Sequence, residues 1–110
     1  MKSKDKRLLE GILTFAKKVD RRIEGLSLEK FLADDDINEA VLYAIGQMGE
    51  YTIRLSDAFR EDYPEEIWHK LIGIRNRVFH SYEQIDLKKV YELAEENIEH
   101  TINLINEIIG

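Results

Sequence analysis

The sequence of 110 residues has no cysteine and one proline, Pro64. Without cysteine there are no disulfides, thiol nucleophiles or thiolate metal sites, and a reducing cytoplasm suits the chain. With so little proline, long stretches are free of the residue that most disturbs a helix. Long apolar runs are also missing. No segment approaches the ~18 residues that span a bilayer. Glu10 breaks the only apolar run near the basic N-terminus and Lys17 and Lys18 follow it, so no secretory h-region fits. The expectation is a soluble, cytoplasmic protein with no membrane contact. An excess of positive charge is lacking too: the formal net charge is -6, which argues against non-specific nucleic-acid binding by the surface as a whole.

The distribution of charge says more than its sum. Residues 1–22 carry eight bases against three acids, a local +5, so the remainder stands at -11. The bases of this segment (Lys2, Lys4, Lys6, Arg7, Lys17, Lys18, Arg21 and Arg22) lie largely off its apolar stripe. They read either as a solvated helix face or as a track for a nucleic-acid backbone.

What is present favours helix: Leu, Ile, Glu and Lys dominate, and 44% of residues are hydrophobic. The length fits one domain, residues 1–110, with one core. Apolar residues recur at spacings of three and four in four long segments. The first, about Lys4 to Glu24, carries Leu8, Leu9, Ile12, Leu13, Ala16, Val19 and Ile23. Ser27 caps a short turn through Phe31. The Asp34, Asp35, Asp36 run then offers N-cap oxygens to a second long helix, about Asp36 to Leu55, on which Val41, Leu42, Ile45, Met48 and Thr52 face inward. Gly46 and Gly49 lie inside that helix, and each costs about 1 kcal/mol relative to Ala, which implies the close approach of another backbone. Glu50 is either exposed or turned inward to an arginine. Residues 56–62 form a short connector. Pro64 fits the first turn of a third long helix that runs to about His80, with Ile67, Leu71, Ile74 and Val78 at core spacing and Trp68 at the edge of the stripe. Asp86 caps the last helix, whose stripe includes Val90, Tyr91, Ala94, Ile98, Ile102 and Ile105. Ile108 and Ile109 near its end are placed to cover the core or a second copy of the chain. The predicted fold is all-α: an antiparallel bundle of four long helices with one or two short connecting helices.

Chemistry concentrates between Leu71 and Asp86, where Arg75, Asn76, His80 and Tyr82 form Arg-Asn-x-x-x-His-x-Tyr. Arg and His at a helix C-terminus also serve the macrodipole and cap carbonyls, so the pair alone is weak evidence. On a regular helix five steps leave Arg75 and His80 about 140° apart around the axis. Either the helix loosens near His80 or a working site borrows from a second copy. Metal sites find little support. The three adjacent Asp lack partners for an octahedral oxygen set, and Glu66-x-x-His69 has no second Glu-x-x-His to pair with.

The string resembles the signature of HEPN domains, and more closely that of the HepT-like toxins among them. Trp68 upstream and the Gly49-Glu50 pair also resemble that family, whereas Ser81 and Glu83 depart from its common residues. The resemblance implies a small homodimeric helical bundle that cuts RNA without metal or cofactor, its motifs facing each other across the dimer. His80 would act as general base on a 2′-hydroxyl, since imidazole exchanges protons near neutrality. Arg75 would stabilise the charge that builds on phosphorus, and Asn76 would hydrogen-bond the imidazole or a phosphate oxygen. In the family the tyrosine at the position of Tyr82 receives AMP from a partner antitoxin, an MntA-like minimal nucleotidyltransferase, which blocks the ribonuclease. Arg77 is a candidate for an RNA phosphate. So are Lys88 and Lys89, whose place in the first turn of a helix is mildly unfavourable to cations. The competing reading is a non-catalytic dimerisation module that binds a nucleotidyltransferase.

Overall fold

The computed structural model describes residues 1–110. Six α-helices follow in order: α1 (Ser3–Ile23), α2 (Leu28–Ala33), α3 (Asp35–Arg54), α4 (Asp57–Asp62), α5 (Glu66–His80) and α6 (Leu87–Ile109). A single 3-10 turn, Tyr82–Gln84, lies between the last two. There is no strand, and the architecture is the all-α, HEPN-like bundle expected, with two short helices joining the four long ones.

Side-chain oxygens start most of these helices by capturing amides that have no intrahelical partner. Ser27 accepts from Lys30 N–H at 3.2 Å, Asp34 from Ile37 N–H at 3.2 Å and Ser56 from Phe59 N–H at 3.1 Å. Asp86 accepts from Lys88 and Lys89 N–H at 3.0 and 3.4 Å. Two helix limits differ from expectation. The turn after Ser27 continues beyond Phe31 to Ala33, and Pro64 lies outside α5, whose N-cap is Glu65. Pro64 therefore ends the connector instead of opening the helix.

Contacts between elements make neighbours antiparallel. Phe15 of α1 meets Tyr43 and Tyr51 of α3 at ring separations of 6.3 and 6.0 Å, and Asp5 at the start of α1 reaches Ser56 just after the end of α3. The Tyr91 hydroxyl, near the start of α6, donates to the Leu26 carbonyl beyond the end of α1. One core of 21 buried side chains runs through the bundle, centred on Leu9, Ile12, Ile45, Met48, Leu71 and Ile98. Helix α1 lies between α3 and α6, and α5 packs on the far side of α3, scarcely touching α6. Trp68 is buried and not at an edge: its Nε1–H donates to the Tyr63 carbonyl at 2.9 Å, which removes the usual reason for the indole to stay near water. Ile108 and Ile109 pack partly against the core. No helix is long and apolar enough to cross a membrane.

The glycines of α3 differ in purpose. A Cβ on Gly49 would lie 2.3 Å from the Leu71 carbonyl oxygen and 2.6 Å from Arg75 Cβ, so this residue sets how closely α5 approaches α3. On Gly46 a Cβ would meet only the Val78 methyls, at 3.8 Å and beyond. The expected backbone contact exists at Gly49 and is absent at Gly46.

An unexpected tether joins the start of α1 to the end of α3. Asp5 is 2% exposed, and its carboxylate accepts from Ser56 N–H at 2.9 Å and from the Ser56 hydroxyl at 2.7 Å. Burial pushes its pKa up, but the two Ser56 hydrogen bonds, with Lys2 and Lys4 nearby, outweigh burial and hold it below the ordinary 3.8. The unfolded chain therefore takes up the proton first as pH falls. The carboxylate's contribution is fully present above about pH 4 and is lost as pH drops through the lower, folded value. Asp5→Ala is expected to cost about 1–3 kcal/mol at pH 7, because it strands the Ser56 donors. The deficit relative to the wild type should shrink towards pH 3 in urea titrations, whereas a deficit independent of pH would assign Asp5 a packing role alone.

Candidate functional site

The Arg-Asn-x-x-x-His-x-Tyr residues occupy the C-terminal half of α5 and the turn after it. Gly49 brings α5 against α3, and this proximity settles the position of Glu50. Its carboxylate turns inward and accepts from Arg75 Nε at 2.8 Å. Arg75 Nη1 also donates to Asn76 Oδ1 at 2.9 Å, and the guanidinium lies 4.9 Å from the centre of the Phe79 ring. Both members of the ion pair are half-buried. A planar guanidinium held by a carboxylate on one edge and an aromatic ring on a face has a fixed orientation. Nη2 and the second Nη1 proton remain free to meet an anion.

The helix does not loosen near His80. The Ser81 N–H still donates to the Arg77 carbonyl at 2.9 Å, an ordinary i to i−4 bond, and α5 is unbroken from Glu66 through His80. Arg75 thus faces the α3 flank, while His80 lies about 140° further round the helix on the exposed side. Asn76 is exposed and engaged with Arg75, not with the imidazole. Tyr82 opens the 3-10 turn and is 54% exposed.

The remaining candidates separate. Arg77 is on the opposite flank of α5 from Arg75 and lines the same opening between α5 and α6 as Lys89. Lys88 does not border that opening. The Lys88 and Lys89 amides at the start of α6 are already taken by the Asp86 carboxylate. Sequence reasoning passes over two further residues here. Phe79, 55% exposed, is an apolar residue four positions after Arg75 and off the Ile67, Leu71, Ile74, Val78 stripe. Gly73 sits in the middle of α5 with nothing near its missing side chain.

A helical bundle whose third long helix ends in this motif defines an HEPN-like domain. The family model described as Ribonuclease HepT-like matches residues 12–108, and the chain belongs to that family. The activity that this membership assigns is that of an endoribonuclease. A provisionally named RNase of Caldanaerobacter subterraneus subsp. tengcongensis is 26% identical over 101 residues, 92% of this chain and 90% of its own. A provisionally named RNase of Methanocaldococcus jannaschii is 28% identical over 93 residues, 84% of this chain and 85% of its own. A provisionally named ribonuclease HepT of Thermococcus cleftensis is 26% identical over 98 residues, 89% of each chain. No solved structure matches the chain significantly.

Proposed function

We propose that the chain acts as a homodimeric, metal-independent endoribonuclease toxin whose site is completed across the dimer. Arg75 of one protomer and His80 of the other would serve a single phosphodiester. His80 takes the proton of the 2′-hydroxyl, the oxygen attacks the adjacent phosphorus, and the P–O5′ bond breaks; the 5′-oxygen takes a proton from water and leaves as a hydroxyl, while a 2′,3′-cyclic phosphate stays on the upstream fragment. Arg75, through its free Nη protons, stabilises the additional negative charge of the phosphorane. Asn76 keeps the guanidinium in place. The observation that carries this reading is the unbroken helix through His80, which keeps Arg75 and His80 on different faces of one copy.

Tyr82 is the proposed point of control. Exposed and two residues beyond His80, its hydroxyl is open to AMP transfer by a minimal nucleotidyltransferase antitoxin. Phosphates attached there would occupy the site and compete for Arg75. The reading places toxin, antitoxin and RNA in the cytoplasm.

Mixing two inactive variants tests the shared site. Arg75→Ala and His80→Ala proteins, co-refolded so that subunits exchange, should regain about a quarter of wild-type activity. Half the dimers are then mixed, and each mixed dimer holds one complete site of two. Activity that stays at the level of the separate variants would place Arg75 and His80 in one protomer's site. One observation favours the non-catalytic alternative: Glu50 already neutralises Arg75. A dimer module would then show no cleavage in any mixture, wild type included.

A further inference from the structure

Neighbouring long helices of the bundle pack closely except α5 and α6. Beside the Tyr82–Gln84 turn the gap between them widens into a cavity of about 310 Å³ walled by Ile74, Arg77, Gln84, Ile85, Lys89 and Val90. Asp86 also borders it: one of its carboxylate oxygens caps α6, and its charge sets one anion against the two cations. Neither Arg77 nor Lys89 takes part in an ion pair. This end of the opening therefore combines two free cations with an apolar wall. Further along, the gap passes Gly73 and is lined by Glu66, Glu92 and Glu96 together with His69 and Lys70.

Gly73 strengthens the case. Glycine is a poor helix former; Gly49 is accounted for by a neighbouring backbone at contact distance, whereas Gly46 meets only the Val78 methyls. Gly73 has no such neighbour: a Cβ there would meet nothing within 4 Å. It lies one turn before Arg77 on the same edge of α5 and borders the opening. The bare backbone edge at Gly73 leaves room for a ligand to come close.

We propose that this opening is a nucleotide subsite for the RNA, in which Arg77 and Lys89 hold one phosphate, Ile74 and Ile85 receive its base, and its sugar lies over Gly73. The inference rests on the ribonuclease reading and extends it to a second contact, on the flank of α5 away from Arg75. The cavity suits one nucleotide unit, at the small end of ligand pockets. Positive charge at one end and carboxylates at the other confine phosphate to the Arg77 end. The unpaired Arg77 and Lys89 favour an anion at that end.

The test uses a short fluorescent single-stranded RNA, with anisotropy read in a His80→Ala background so that the probe survives. Arg77→Gln and Lys89→Gln should each weaken binding about tenfold, as for loss of a charge-assisted hydrogen bond. Each should also flatten the slope of log affinity against log salt by about 0.7. Gly73→Ala should weaken binding by about the same factor while its melting temperature stays level or rises, since Ala is the better helix former. Lys30→Gln, outside the opening, should change neither affinity nor slope.

Unchanged RNA affinity in all three cleft variants, with the His80-intact protein still cutting RNA, would overturn the subsite and leave the ribonuclease reading standing. A Gly73→Ala protein altered in sedimented mass but not in RNA affinity would assign the glycine to contact between copies and overturn it as well. Tight binding of free AMP, lost in Arg77→Gln while RNA affinity holds, would give the pocket to a free nucleotide instead. A wild-type protein that neither binds nor cuts RNA would sink the ribonuclease reading and the subsite together.

Discussion

His80→Ala should abolish RNA cleavage and leave the fold untouched. His80 is the last residue of α5, exposed, and makes no side-chain hydrogen bond or ion pair, so its removal opens no cavity and strands no buried partner. The melting curve should superimpose on the wild type. The loss in rate should be about 10²–10⁴-fold, as for removal of a general base positioned on the reacting hydroxyl. Arg75→Ala is a less selective probe, because it also frees the Glu50 carboxylate and uncovers Phe79, so a fall in stability would accompany its fall in rate. Matched thermal melts and single-turnover rates separate the two: activity lost at unchanged stability assigns His80 to chemistry, whereas a destabilised His80→Ala would assign it to the end of the helix.

The second large effect is structural. Gly49→Ala puts a methyl group 2.3 Å from the Leu71 carbonyl oxygen and 2.6 Å from Arg75 Cβ, atoms of a packed helix that cannot swing aside. The clash forces α3 and α5 apart. A loss of about 3 kcal/mol is expected, at the upper end of ordinary overpacking. Cleavage should fall even in molecules that remain folded, because the same shift draws Glu50 away from Arg75. Gly46→Ala, one turn earlier, is the control. Its methyl would touch Val78 at an ordinary 3.8 Å, so the variant should gain up to about 1 kcal/mol from helix propensity. Urea titrations of both proteins measure the contrast, and equal destabilisation would refute the assignment of the α3–α5 contact to Gly49.

Those two glycines mark where sequence reasoning reaches its limit. Both weaken α3 equally as residues, and only the position of α5 distinguishes them. The long helices themselves are readable because their stripes repeat at the helical period, as in Leu9, Ile12, Ala16 and Val19, and because Ser27, Asp34, Ser56 and Asp86 are strong N-caps. Asp5 escapes notice since a carboxylate is ordinarily counted as exposed. Yet it keeps the phase of Leu8, Leu9 and Ile12, and a charged residue in that phase signals a buried polar tether. Trp68 is misplaced for the converse reason: its polar nitrogen suggests an edge until the Tyr63 carbonyl supplies a partner. At the site, the motif residues are visible in the sequence, and the 140° offset of Arg75 from His80 follows from helical geometry. The Glu50 partnership is visible only as one of two alternatives, since the choice depends on the separation of α3 and α5. The opening that unites Arg77 with Lys89 is not visible, since the two are twelve residues apart and belong to different helices.

The most direct test of the account is an incubation of unmodified wild-type protein, its Tyr82 verified free of AMP by intact mass, with single-stranded and structured RNA in EDTA. His80→Ala serves as the parallel sample, and the product ends are identified. Cleavage by the wild type alone, leaving 2′,3′-cyclic phosphates, is the predicted result. A folded, unmodified dimer that cuts none of these RNAs, or that leaves linear 5′-phosphates only when metal is supplied, would contradict it.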